Sequence, residues 1–472
     1  AMTHSLQRDR ANAIRDVLVF TVRNWRTERK LTWTIAASIT IATLADVFIP
    51  VFAGRLVDAV ASGSLDGEAA FSEALFALLA MGALGLVFLV FRHMAWASVV
   101  PMTLRVMQGV SELAFRRVQR FSTDWHANSF SGSVVRQITR GMWALDLMHD
   151  TLLLALLPSA VVLGGTVLLL SVQWPIMGLV MALGSVLYVA VTVTLSVRYV
   201  APASRVSNQM DTRIGGVLAD ALGGNAVVKA FGAEDREEAR LGESLGLWRR
   251  ETHRTWMRHT WAGTVQTSIL WIVRIAIAAV AVWLWQRGEA STGDVAYVLT
   301  TYFVVHGYLR DIGMHVNNLQ KSVNEMEELV DLEEVEAAIA DRPDAATLRV
   351  RNGEIRFDRV DFHYAGHKLP LYEGLDVTIN GGERVGLVGP SGSGKTTFVK
   401  LIQRLHDVTG GEIRIDGQPI TALRQQSLRS AIAIVPQESL LFHRSLRDNI
   451  AYAKPDATMA EIERAAAFAH AA

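Results

Sequence analysis

Gly389-Pro390-Ser391-Gly392-Ser393-Gly394-Lys395-Thr396-Thr397 is the stretch around which the chain is organised, and it matches GxxxxGK[ST] at every fixed position. Residues 384–388 (RVGLV) before it read as a buried strand, and residues 398–405 (FVKLIQRL) after it read as a helix. A strand, a glycine-rich loop and a helix in that order form a phosphate cradle. Backbone N–H groups and a helix N-terminus surround the negative charge where no Cβ obstructs them. Lys395 is placed to reach the β- and γ-phosphates, and the Thr396 hydroxyl to ligate Mg²⁺. A flexible Gly/Ser loop is the plain alternative, and both flanks argue against it.

Working outward, 472 residues exceed one ordinary core, so two or more domains are expected. Lys+Arg and Asp+Glu both number 46, which gives no sign of a nucleic-acid partner. With no Cys, disulfides, thiolate metal sites and cysteine nucleophiles are excluded. Half the residues are hydrophobic, and the mean hydropathy is +0.24. The apolar excess lies in long runs through the first two thirds, as expected of a membrane domain. No signal-peptide pattern opens the chain, and Ala1 before Met2 has the look of an added residue.

Residues 1–30 are polar and basic, with Trp25 inside and Trp33 just beyond them; they read as a cytoplasmic segment, of which an interfacial helix is one form. Six spans are expected near 31–57, 71–98, 151–172, 174–197, 261–286 and 294–316, the third and fourth joined by a tight turn at Gln173-Trp174-Pro175. Arginine-rich stretches between spans two and three and between four and five place those loops, and both termini, in the cytoplasm. Their helical periodicity extends the spans beyond the bilayer, with breaks at 121–132 and 215–225.

Polar residues punctuate the spans. His306, Arg310, Gly313 and Asn317 recur at spacings of one helical face in the sixth, and Arg274 lies within the fifth. One reading is a cationic substrate path for an anionic or zwitterionic small molecule or lipid. Helix–helix pairing and snorkelling is the other. Arg92 and His93, near a span end, favour the second.

After the sixth span comes an acidic amphipathic stretch, 325–336, and a linker at Asp341-Arg342-Pro343-Asp344. Strand-like runs follow at 354–357, 360–364 and 375–379, a hairpin around Asp416-Gly417, a buried strand at 431–435, and a terminal helix from residue 458. The division expected is 1–30, a six-helix all-α transmembrane domain at 31–320, a linker at 321–350, and a partial α/β nucleotide-binding domain at 351–472.

Six spans with long cytoplasmic loops joined to this phosphate loop resemble the ATP-binding cassette transporters of the exporter fold, and the resemblance covers essentially the whole chain. Residues 360–364 (VDFHY) look like the adenine-stacking A-loop, which implies that role for Tyr364; residues 434–438 (IVPQE) look like the Q-loop, which implies Mg²⁺ and water contacts for Gln437. On the residues alone Tyr364 reads as an ordinary strand aromatic and Gln437 as a loop polar group. Residues 446–450 (LRDNI) and 227–232 (VVKAFG) resemble further family runs, and the two loop breaks become coupling helices by the same analogy.

The resemblance implies an ATP-driven half-transporter in the plasma (inner) membrane. It would work with Mg²⁺ as a homo- or heterodimer by alternating access. A full cassette would continue past residue 472 to an LSGGQ-type signature, a Walker B carboxylate and a switch His, none of which occurs here. The expectation is therefore a truncated cassette that binds nucleotide weakly and does not turn over. An importer built on the exporter fold, a nucleotide-binding regulator and a degenerate heterodimer subunit stand as alternatives.

Overall fold

The architecture comes from a computed structural model that describes residues 10–62, 67–128, 131–335, 339–364, 369–435 and 441–471. The chain divides into two compact units, Ala1–Arg116 with Gly132–Glu334, and Arg117–Ser131 with Val335–Ala472. Every regular element described in the first is a helix: α1 (Arg10–Thr27), α2 (Arg29–Ser62), α3 (Gly67–Val118), then, after α4 (Thr123–Asn128), α5 (Ser131–His149), α6 (Leu157–Gln173), α7 (Pro175–Thr194), α8 (Ala201–Gly223), α9 (Asn225–Ala230), α10 (Glu234–Gln286), α11 (Thr292–Leu309) and α12 (Ile312–Glu334). Two π-helical segments, Asp150–Leu156 and Leu195–Val200, carry the third and fourth spans through without a break. In a bilayer every backbone N–H and C=O must be satisfied within the protein, which a helix does by itself.

Among the described residues, five helical stretches are long and apolar enough to cross a membrane. The sixth span, through α11, is more polar. It is enclosed by other helices: Tyr297, Val298, Tyr302, Val305 and Leu309 are all buried, and α11 packs along α2. A helix that meets protein on most sides needs little lipid-facing apolar surface. Gly54 and Gly293 permit that approach, since a Cβ at Gly54 would lie 2.7 Å from the Gly293 carbonyl oxygen. The Asp58 carboxylate caps the start of α11, accepting from Ser291 Oγ and Gly293 N, both at 2.6 Å.

Two expectations for this unit change. The sixth span is not one helix: α11 ends at Leu309, Arg310 and Asp311 turn, and α12 follows, so the single face expected for His306, Arg310, Gly313 and Asn317 is divided between two helices. And within the break expected at 215–225, α8 continues to Gly223 and the helix is interrupted only at Gly224. In the N-terminal segment, Val17, Phe20 and Thr21 are buried where α1 lies on α12, and Arg23 pairs with Glu333 at 2.6 Å.

The second unit holds a four-stranded antiparallel sheet in the order β2-β1-β3-β4, from β1 (Ile355–Phe362), β2 (Tyr372–Ile379), β3 (Gly410–Ile415) and β4 (Gln418–Pro419). The two runs expected at 354–357 and 360–364 form one strand with a bulge at Asp358-Arg359, where Arg359 takes φ +48°. Phe357, Val360, Phe362, Ile413 and Ile415 form the core with Phe398 and Leu401 of α13 (Lys395–Ile402) and Leu428 of α14 (Gln425–Ser430). The hairpin at Asp416-Gly417 forms as expected, followed in the chain by α15 (Leu446–Ile450) and α16 (Met459–Phe468), the latter started by a Thr458/Glu461 capping box.

The two buried strands expected at 384–388 and 431–435 do not form. Both segments carry no ladder, and Val388 and Val435 are each 97% exposed. A parallel-type apolar strand gains its hydrogen bonds and its cover only from neighbouring strands and helices. Among the described residues no strand pairs with either segment, although Ile432 packs against the core.

Candidate functional site

The phosphate loop is shaped by its own backbone. Gly392 and Gly394 take φ of +84° and +93°, conformations that a side chain disfavours. At Gly394 the space is also closed, because a Cβ would sit 2.7 Å from Tyr372 Oη, which donates to the Gly394 carbonyl at 2.8 Å. Lys395 opens α13, and its Nζ donates to the carbonyls of Gly389 and Pro390 at 2.8 and 2.7 Å, with Ser393 Oγ at 3.4 Å. The ammonium is thereby held over the loop whose exposed residues Ser391, Gly392 and Ser393 precede the helix N-terminus. The helix is fixed from behind by Phe398, stacked on Phe357 with ring centroids 4.3 Å apart, and by fully buried Leu401. A rigid helix start, left-handed glycines and a centred cation suit an anion of concentrated charge.

Tyr364 is half-buried beside this loop, and its hydroxyl is 2.8 Å from Thr397 Oγ1. Phe362 and His406 meet its ring nearly perpendicularly, at centroid distances of 5.0 and 5.2 Å. Thr396 is exposed on the first turn of α13, whereas Thr397 is buried. The two threonines therefore face different tasks. Gln437 lies outside the described residues. His406 had no signal in the sequence, being a single imidazole after an apolar run. Asn449 is also explained only by the fold: its amide bonds the backbone of Phe442, Arg444 and Ser445, closing the loop before α15.

In the first unit the sequence-picked polar residues separate. The Arg274 guanidinium lies over three rings, Phe303 at 4.7 Å, Trp271 at 4.8 Å and Tyr302 at 5.7 Å. His306 touches the same Tyr302, ring to ring at 5.9 Å. Arg310 is exposed and pairs with Asp311 at 3.3 Å. Asn317 alone of the four enters a cavity of about 330 Å³, shared with Ser196, His259, Gln266, Gly313 and Asn318. The π-helical turn Leu195–Val200 supplies Ser196, and Gly313 leaves room for Gln266, whose Nε2 would lie 3.0 Å from a Cβ there. Gln266 was visible as an amide inside an apolar run; nothing in sequence spacing joins it to Asn317.

Comparison with known proteins agrees with both units. The family model described as the ABC transporter transmembrane region matches residues 32–306, and the one described as ABC transporter matches residues 372–472. ATP-binding cassette sub-family B member 6 of Xenopus tropicalis is 29% identical over 90% of this chain and 50% of its own length. An ATM1-type heavy metal exporter of Novosphingobium aromaticivorans is 31% identical over 76% of this chain and 59% of its own length. An uncharacterized ABC transporter ATP-binding protein of Haemophilus influenzae is 30% identical over 93% of this chain and 71% of its own length. The solved structure of a bacterial Atm1-family ABC exporter with ATP bound superposes with a TM-score of 0.80 at 27% identity, covering 94% of this chain and 77% of that one. The chain spans about half the length of the sub-family B relative.

Proposed function

The chain belongs to the ABC transporter family as an exporter-type half-transporter, and from that premise we propose that it is the subunit of an ATP-driven exporter that moves a polar solute across a membrane by alternating access in a dimer. The observation that carries the reading is the phosphate loop, with its left-handed glycines and Lys395 held at the mouth of α13, on one chain with a multi-pass membrane unit.

In this reading residues 389–397 hold the phosphates, Tyr364 stacks on adenine, and Thr396 and Gln437 hold Mg²⁺. When bound, Mg²⁺ neutralises phosphate charge. Lys395 supplies a second positive charge, and the Ser391–Gly394 amides orient the oxygens. By the family analogy the segments 121–132 and 215–225 are the coupling elements, both termini are cytoplasmic, and the functional division is 1–30, 31–320, 321–350 and 351–472.

The cargo is read from the cavity. Its lining offers the hydrogen-bonding side chains of two Asn, one Gln, one Ser and one His, with no carboxylate, lysine or arginine, around about 330 Å³. That volume and chemistry suit a polar organic molecule, free or carrying a metal. Relatives are named for heavy metal export and for iron-sulfur cluster transport, and metal held by an organic carrier is the cargo class we assign. Arg274, His306 and Arg310 do not line this cavity; in this proposal they meet the solute elsewhere on its route. Binding of Mg²⁺-ATP to the whole chain in lipid nanodiscs is the test. Affinity should fall at least tenfold in Lys395→Ala, and equal binding by both chains would remove the assignment.

A further inference from the structure

The last glycine of the phosphate loop is gripped from outside the loop. Gly394 takes φ +93° and ψ −1° just before α13, and it has no side chain with which to cap that helix. Its carbonyl accepts from two directions. Phe398 N reaches it at 2.9 Å along the helix, and Tyr372 Oη reaches it at 2.8 Å from the sheet. Tyr372 opens β2, where pairing with Phe362 and a 2.7 Å bond from Leu371 N to the Phe362 carbonyl fix its place. The fit is mutual. A Cβ at Gly394 would lie 2.7 Å from Tyr372 Oη and 3.3 Å from Leu371 Cδ2, so the phenol fills the space that the glycine leaves.

In a trans peptide the C=O and the following N–H point in opposite directions. A Gly394 carbonyl turned to Tyr372 therefore turns the Lys395 N–H away from β2. That N–H belongs to the helix-start amides that have no partner inside the helix and that serve an anion. Burial, with Tyr364 adding to it, pushes the Tyr372 phenol up, so its oxygen keeps the proton it donates. A second phenol reaches the same turn of α13, since the Tyr364 hydroxyl lies 2.8 Å from Thr397 Oγ1. Tyr364 and Tyr372 stand near the two ends of the connection between β1 and β2. A binding site keeps its geometry only when the groups behind it are themselves fixed.

We infer that Tyr372 is a positioning residue for the phosphates: its hydroxyl holds the Gly394 carbonyl, and so keeps the last glycine of the loop left-handed and the Lys395 N–H presented to the anion. This deepens the nucleotide reading and rests on it for its meaning. One hairpin then serves both ends of the nucleotide, Tyr364 the adenine and Tyr372 the phosphates.

Tyr372→Phe keeps the ring and removes the hydroxyl. With the whole chain in nanodiscs, competition against a fluorescent ATP analogue reads the affinities of Mg²⁺-ATP and of Mg²⁺-tripolyphosphate, which has no base. Both should weaken about fivefold in Tyr372→Phe, as for the loss of one hydrogen bond. Tyr364→Ala should weaken ATP and spare tripolyphosphate. The number of sites in Tyr372→Phe should equal that of the parent, because general damage removes sites whereas misplacement weakens those that remain. Unchanged affinities in Tyr372→Phe, a loss confined to ATP, or a loss of sites overturns the inference.

A second measurement needs no ligand. Amide exchange over residues 391–399 covers Ser393 N–H on the Pro390 carbonyl and Phe398 N–H on the Gly394 carbonyl. It should quicken in nucleotide-free Tyr372→Phe and keep the parent rate in Thr458→Ala, which opens the capping box of α16 in the same unit. No quickening, or equal quickening in both variants, overturns the inference. A parent chain that binds neither ligand would overturn the nucleotide reading and this role with it, even where exchange shows Tyr372 holding the loop.

Discussion

The membrane unit and the cassette unit both contain apolar segments that read as buried, and they fare differently. In the membrane unit, residues such as Val298, Val305 and Ile277 end up buried among helices. In the cassette unit, residues 384–388 and 431–435 are as apolar, yet Val388 and Val435 lie open to solvent without a ladder. An α-helix closes its hydrogen bonds within four residues and then seeks packing. A strand has no such internal closure and exists only when another strand lies alongside. Apolarity therefore says that a segment should be covered, and the backbone decides whether it can take its form before the cover arrives.

The strongest challenge to that contrast is in the membrane unit. Gly293→Leu would drive a side chain into the Gly54 carbonyl and the Asp58 carboxylate, so α2 and α11 must separate. A loss of about 3 kcal/mol is expected, seen as a lowered melting temperature in detergent. A near-neutral result would mean that the two helices do not meet as described. In the same contact, Asp58→Ala leaves Ser291 Oγ and Gly293 N without their acceptor, at about 1–3 kcal/mol by the same measurement.

The cassette side is probed next. Tyr364→Phe removes the hydroxyl contact to Thr397, worth about 1 kcal/mol, while leaving the ring. Unfolding of the second unit should register that loss. Adenine nucleotide binding should survive in Tyr364→Phe and weaken in Tyr364→Ala, where a stacking surface worth about 1–3 kcal/mol is gone.

A pH scan isolates one strap of the same unit. The Asp416 carboxylate accepts from the backbone N–H of Arg351, Asn352, Gly353 and Glu354 at 2.6, 3.1, 3.2 and 3.0 Å. Those amides, Arg351 foremost, hold its pKa below the ordinary carboxylate range. A depressed folded-state pKa stabilises the fold above the unfolded pKa and loses that contribution as pH falls through the folded value. The melting temperature should therefore step down on acidification, and Asp416→Asn, which tolerates the local φ of +46°, should flatten the step. A step that survives the substitution would assign it to other carboxylates.

The smallest expected effect speaks most directly to the contrast. Val435→Lys replaces a side chain that is 97% exposed, so stability should move by no more than about 0.5 kcal/mol. Val298→Lys, at a residue 1% exposed, should abolish folding. A large loss at Val435 would show that the segment is covered after all.

Much of the functional assignment was legible in the order of residues. The phosphate loop is contiguous, and its glycines, lysine and helix start carry their geometry locally. The spans, the turn at Trp174-Pro175 and the Asp416-Gly417 hairpin were legible for the same reason. What misled was periodicity carried across a break. His306, Arg310, Gly313 and Asn317 match one helical face only if the ladder continues, and an arginine followed by an aspartate gives no local reason for it to stop.

The sequence by itself determined which segments are helical and apolar and where a glycine-rich loop turns into a helix at Lys395, because those properties need only neighbours within a few residues. Tertiary structure decided the rest. It tied the end of α11 to a tyrosine 121 residues away in the chain, turned Thr397 towards Tyr364, placed Asn317 with Gln266, and left two apolar segments unpaired. Each of those outcomes depends on an atom supplied from far along the chain, and residue spacing carries no record of which distant atom will arrive.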